Sequence, residues 1–208
     1  MSLDASGVAD YDILAPAAWD ALAIEAPLLR RAAEARAIVF GSLGQRHVTA
    51  RATIERLWDT GPTLVFDVNL RPPFDDRGVV ERSLTRAHIV KVNDGELAQL
   101  ATWFALPPGL HEAAVALGNR FSCGTVCVTR ASQGAALWHD GRWSEHPGFD
   151  VDVRDTVGAG DAFLAVLLAG LFNGAAPASI LERANRVGAH VAAQVGAMPT
   201  AQSAMLAR

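Results

Sequence analysis

Seven residues, Asp155-Thr156-Val157-Gly158-Ala159-Gly160-Asp161, lead without a break into an apolar run from Ala162 to Phe172. Small residues at the mouth of a helix let an anion reach the free N–H groups there, and the helix dipole favours negative charge at that end. The string therefore reads as a phosphate cradle ending in the carboxylate of Asp161. Taken as an isolated Gly-x-Gly-Asp, the same residues also describe a tight turn with a helix-capping Asp, and residue types alone leave both readings open.

Two further clusters carry polar groups where a strand gives way to a loop. In Lys91-Val92-Asn93-Asp94-Gly95-Glu96, Asn93 and the Glu three positions later fit a capping box at the start of a helix. In Asp67-Val68-Asn69-Leu70-Arg71-Pro72, strand alternation would put Asp67, Asn69 and Arg71 on one side. They would lie at the carboxyl edge, where ligands of α/β sheets bind, or form a polar turn closed by Pro72-Pro73.

Other chemistries are excluded. No G-x-x-x-x-G-K-[ST] string occurs, and Gly158-Ala159-Gly160 sits too late for the G-x-G-x-x-G of a dinucleotide-binding unit. The six histidines form no ligand spacing; His190, on an apolar helix, reads as a packing residue. Cys123 and Cys127 are the only cysteines, too few for a zinc site, and read as reduced core residues. With a net charge of −4 and no basic block, the chain lacks the footprint of a nucleic-acid binder.

The elements that must position these clusters follow from apolar periodicity. Runs rich in β-branched residues at Ile38 to Phe40, Thr63 to Val68, His88 to Val92 and Thr125 to Thr129 alternate with helical patterns, the mark of a parallel α/β sheet. Helices are expected over Ala26 to Ala35, Val48 to Asp59, Asp76 to Arg86, Asp94 to Phe104, Leu110 to Phe121, Asp161 to Asn173 and Ala178 to Gln194. Asp140-Gly141 between Ala135 to His139 and Arg142 to Glu145 predicts a hairpin, so the sheet is mixed at that end. One domain over residues 1–208 is expected from length and from a composition that is half hydrophobic. The eleven apolar residues from Ala162 are too few to span a bilayer, and Met1 to Asp4 lack signal-peptide character, so a cytoplasmic protein without membrane contact is expected.

Together these motifs resemble the ribokinase-like (PfkB) carbohydrate kinases, whose signature is written D-T-x-G-A-G-D, and in the D-x-N-x-R segment their fructokinase and 2-keto-3-deoxygluconate kinase-like branch. The resemblance covers about residue 8 to residue 200. It implies a three-layer α/β/α fold with a mainly parallel central sheet, and an ATP-dependent, magnesium-requiring phosphotransferase acting on a hydroxyl of a small sugar or sugar acid. Asp161 would accept the hydroxyl proton while the N–H groups of Gly158, Ala159 and Gly160 stabilise charge on the transferring phosphoryl group. Asn93 and Glu96 match the family's N-x-x-E motif, which organises magnesium, water and phosphates, with Lys91 beside it; such a pair can cap a helix and still hold hydrated magnesium. Asp67, Asn69 and Arg71 would face phosphate or substrate. Thr129 to Gly134 resembles the nucleotide loop T-x-G-x-x-G, with Ala131 standing where the first glycine is usual. Asn185 and Gly188 match the helix that borders the adenine. Asp155, Gly196 and Thr200 match the loop that holds a monovalent cation such as K+ in some members.

Family members normally begin with a further βα unit, an acidic sugar ligand, a Gly-Gly segment and most of a β-stranded lid. Here Val8 to Leu14 looks like the strand that leaves the lid, so the N-terminal βα unit and most of the lid are expected to be missing and activity to be impaired. An exposed edge would then favour a homodimer or larger species. The competing reading is a non-catalytic nucleotide-binding pseudokinase or interaction protein.

Overall fold

The computed structural model describes residues 13–197, together with the backbone of two short antiparallel strands, β1 (Ser2–Leu3) and β2 (Ala9–Asp10). Of the expected strand over Val8 to Leu14, Ala9–Asp10 is a strand and Ile13 and Leu14 are not; Val8, Tyr11 and Asp12 lie outside the described residues. The chain forms two compact units: one holds 14–128 and 138–143, the other Ile13, 129–137 and 144–197 with β1 and β2.

In the first unit, β3 (Ala37–Gly41), β4 (Thr63–Asp67) and β5 (Ile89–Asn93) run parallel, with Val39 opposite Val65 and Val65 opposite Ile89. The sheet continues through β6 (Thr125–Thr129), β7 (Ala135–His139) and β8 (Arg142–His146), in that order, and β7 and β8 contribute residues to both units. The connecting helices are α1 (Ala26–Glu34), α2 (Val48–Leu57), α3 (Arg77–Arg86), α4 (Asp94–Phe104) and α5 (Leu110–Phe121). Asp76 caps α3 by accepting from the Val79 amide at 3.0 Å. Leu64, Phe66, Leu84, Leu100, Phe104 and Leu117 are buried between helices and strands. Each contributes about 1.5–3 kcal/mol by leaving water, which is what holds the polar carboxyl ends of the strands in place.

A charge pair helps tie the segment before α1 to this unit. Arg46 donates to both carboxylate oxygens of Asp20 at 2.8 and 2.7 Å, and its guanidinium lies over the rings of Phe74 and Trp19. The guanidinium bonds hold the Asp20 carboxyl down at about 2, with the Ala17 amide adding to the effect.

At the hairpin tip in the first unit, Asp140 and Gly141 have φ of 49° and 75°, the pair of positive values of a type I′ turn. Helix α6 (Ala159–Phe172) packs on α7 (Pro177–Ala192). Contact is close because Gly170 and Gly188 carry no side chain: a Cβ on Gly170 would come within 2.7 Å of Ile180, and one on Gly188 within 3.4 Å of the Ala159 carbonyl. Both cysteines are buried and unpaired, and burial pushes their thiols up to about 12. Among the described residues no helix is long and apolar enough to cross a membrane.

Candidate active site

The first unit gathers its polar groups at the carboxyl ends of β3, β4 and β5, where Ser42, Asp67 and Asn93 follow or end successive strands. The Lys91 ammonium pairs with Asp67 at 2.9 and 3.1 Å, both side chains about 10% exposed. Asn93 Oδ1 accepts from the Glu96 amide at 2.7 Å, and Glu96 Oε2 accepts from the Asn93 amide at 2.9 Å, so the capping box is complete. The other oxygen of Glu96 accepts from the Leu70 amide at 2.9 Å, joining the loop after β4 to the loop after β5. Burial raises the Glu96 carboxyl above its usual range, against the lowering influence of these amides and of Lys91.

Strand alternation does not carry through to Arg71. β4 ends at Asp67 and Asn69 takes a left-handed conformation, φ 44°, so the backbone turns before Arg71 is reached. Asn is among the few side chains that tolerate that region. Arg71 Nη1 donates to the Leu70 carbonyl at 2.7 Å. Ser42, only 3% exposed, had no obvious signal in the sequence beyond its place after an apolar run; it donates from Oγ to the Asn69 carbonyl at 3.2 Å and from its amide to Val68 at 3.4 Å.

The second unit carries the small-residue string. Gly158, φ 80°, is the N-cap of α6, and the helix starts at Ala159, two residues before the expected Asp161. Asp161 is therefore not the cap. It lies exposed in the first turn and accepts no hydrogen bond among the described residues. The Ala159 amide donates to the Thr156 carbonyl at 3.2 Å, whereas no acceptor is paired with the Gly158 or Gly160 N–H among the described residues. A Cβ on Gly158 would meet the Ala197 carbonyl at 2.7 Å, so glycine is required there on both sterics and φ.

Asp155 closes the string against residue 196, accepting from Val157 N at 2.9 Å and Gly196 N at 3.0 Å. Those amides hold its carboxyl below the usual range. Thr200, the third expected member of that group, lies outside the described residues. Asn185, buried, turns its amide onto the Leu181 carbonyl of its own helix at 2.7 Å. In the loop after β6, Thr129 ends the strand and Gly134 closes a turn by donating to Ala131 and accepting from Arg130. A Cβ at Gly134 would strike His146 and Gly148 backbone. Ala131 has φ 48°, which is the conformation a glycine would take without strain.

Residues 15–204 match the family described as pfkB family carbohydrate kinase. The chain belongs to that family. An ATP-dependent ribose-1-phosphate kinase of Halopiger xanaduensis is 35% identical over 161 residues, covering 76% of this chain and 50% of its own. Among solved structures, aminoimidazole riboside kinase from Salmonella enterica, complexed with aminoimidazole riboside and an ATP analogue, is 30% identical with a TM-score of 0.64, over 77% of this chain and 57% of that one. A fructokinase double mutant from Vibrio cholerae, in a form with fructose, ADP and potassium ion bound, is 26% identical with a TM-score of 0.69, over 82% and 59% of the two chains. The chain thus has an α/β, ribokinase-like fold and spans about half the length of the curated relatives it matches.

Among the described residues no group of three or more His, Cys, Asp and Glu side chains could hold a metal directly. Magnesium keeps several waters and is commonly held by one or two carboxylates plus substrate phosphates. Glu96 suits that role through water, since each of its oxygens accepts one amide and retains a further lone pair.

Proposed function

We propose that this chain is the nucleotide-handling and catalytic part of an ATP-dependent kinase that phosphorylates a hydroxyl of a small sugar or sugar acid. The observation that carries the reading is Asp161: an exposed carboxylate without a partner among the described residues, in the first turn of a helix capped by glycine, beside the unpaired N–H groups of Gly158 and Gly160. A capping Asp would be consumed by the helix; this one is available to accept a hydroxyl proton. The glycine amides offer preorganised donors to the charge that spreads over a transferring phosphoryl group. The Ala159 amide joins them less directly, because it already donates to Thr156.

Asn93 and Glu96 would hold magnesium through its waters, and the ion when bound would neutralise phosphate charge. Lys91 adds positive charge but acts mainly through Asp67. Arg71, with Asn69, meets an anionic oxygen of phosphate or substrate. Thr129, Gly134, Asn185 and Gly188 border the nucleotide, and the ATP analogue bound by the Salmonella relative supports ATP as donor. Asp155 and Gly196 would hold a monovalent cation, a reading supported by the potassium ion of the Vibrio fructokinase. A cytoplasmic setting and self-association belong to the same proposal; the latter is supported by Val39, 51% exposed on the outermost strand of the sheet order.

The test is Asp161→Asn, with sugar phosphorylation and nucleotide affinity both measured. The amide keeps the shape and cannot take the proton, so kcat should fall by orders of magnitude while nucleotide affinity stays within a few-fold. Turnover near wild type would remove Asp161 from the role.

A further inference from the structure

Three consecutive residues after β4 are held by groups from three different places. The Val68 amide donates to the Lys91 carbonyl at 3.0 Å, and the Val68 carbonyl accepts from the Ser42 amide at 3.4 Å. The Asn69 carbonyl accepts from Ser42 Oγ at 3.2 Å, and the Leu70 amide donates to Glu96 Oε1 at 2.9 Å. Between these anchors lies the left-handed turn at Asn69, and immediately after them comes Arg71. A Cβ on Gly41, the residue before Ser42, would sit 3.1 Å from the Asp67 carbonyl, so the two strand ends also approach closely.

We infer that Ser42 is a positioning residue for Arg71: its buried hydroxyl and amide, working against Glu96 on the other side, set the turn at Asn69 that aims Arg71 at an anionic oxygen of the ligand. The inference rests on the reading of Arg71 as an anion ligand. A serine only 3% exposed at the carboxyl end of a strand is poorly explained by packing, since an alanine would fill the same space without a polar atom to satisfy. Its hydroxyl has the Asn69 carbonyl as acceptor, and that carbonyl belongs to the residue after β4 whose positive φ turns the chain. The anchors act on backbone rather than on the Arg71 side chain, so their effect is on where the guanidinium starts from.

The experiment uses Ser42→Ala, Ser42→Thr, Arg71→Ala and the Ser42→Ala/Arg71→Ala double variant of the 208-residue chain. Amide exchange is read at Leu70 without any ligand. Loss of one hydrogen bond should speed opening there about fivefold, the equivalent of roughly 1 kcal/mol, and Ser42→Thr, which restores a hydroxyl, should return it toward wild type. Calorimetry then uses two probes, magnesium-ATP and 2-keto-3-deoxygluconate, which separate a phosphate from a carboxylate as the anion. For whichever probe Arg71→Ala weakens, Ser42→Ala should weaken binding severalfold alone and add nothing in the Arg71→Ala background. Unchanged exchange at Leu70, or a Ser42→Ala effect that persists when Arg71 is gone, overturns the inference. If Arg71→Ala weakens neither probe, it is the assignment of Arg71 to an anion that fails, and the exchange measurement still decides whether Ser42 holds the loop.

Discussion

The Lys91 ammonium and the Asp67 carboxylate, 2.9 Å apart, join the carboxyl ends of two adjacent parallel strands. Both side chains are nearly out of water, so removing one partner leaves the other a largely buried charge that has lost this contact. Lys91→Met or Asp67→Leu alone should cost about 3–5 kcal/mol, and the double variant should cost clearly less than the sum. Urea unfolding of the three variants checks this. Additive losses would mean that the two charges are stabilised by other groups.

Glu96 uses both carboxylate oxygens as acceptors, one for Asn93 and one for Leu70. Glu96→Gln puts an NH2 donor against one of those N–H donors, so a loss of about 1–3 kcal/mol is expected even without ligand. If Glu96 also orients water on magnesium, the magnesium concentration needed for half-maximal ATP binding should rise as well. A thermal melt reads the first effect and a magnesium titration the second; a stability loss with unchanged magnesium dependence leaves Glu96 with the brace alone.

At Ala131 a φ of 48° forces an L side chain into the left-handed region. Ala131→Gly relieves strain of about 1 kcal/mol, partly offset by the flexibility glycine adds to the unfolded chain. A rise in Tm of about 2 °C or less is expected. No rise, or a fall, would show that the loop gains nothing from a glycine there.

Much of this was legible in the sequence, for identifiable reasons. α4 and α5 begin and end where apolar periodicity puts them, and the Asn93 to Glu96 capping box that starts α4 is a local signal. The start of α6 was misplaced by two residues because Gly158 caps through its backbone conformation, which leaves no side-chain signature. Alternation past Asp67 failed for a similar reason: the turn at Asn69 is imposed by Ser42 and Glu96, residues 27 positions before and 26 positions after the groups they hold. Gly134 could be read as a turn residue, but not its crossing with Gly148, which depends on how the hairpin folds back.

Asp20 links pH to stability. Its carboxyl sits at about 2 in the folded chain against 3.8 ordinarily, because of Arg46. A depressed carboxylate contributes stability that is present above 3.8 and is lost as pH falls toward about 2. Between those values the wild type should therefore lose more stability than Asp20→Asn. Parallel losses in the two proteins would mean that the Arg46 contact does not carry acid sensitivity.

A nucleotide-handling kinase chain must bind ATP with magnesium. Titration of magnesium-ATP into the purified 208-residue chain should give saturable one-to-one binding. Asp161→Asn should keep it within a few-fold, and Gly158→Ala, whose new Cβ would fall 2.7 Å from the Ala197 carbonyl, should lose it. Absence of magnesium-ATP binding to a folded wild-type chain, or equal binding by Gly158→Ala, would contradict the account.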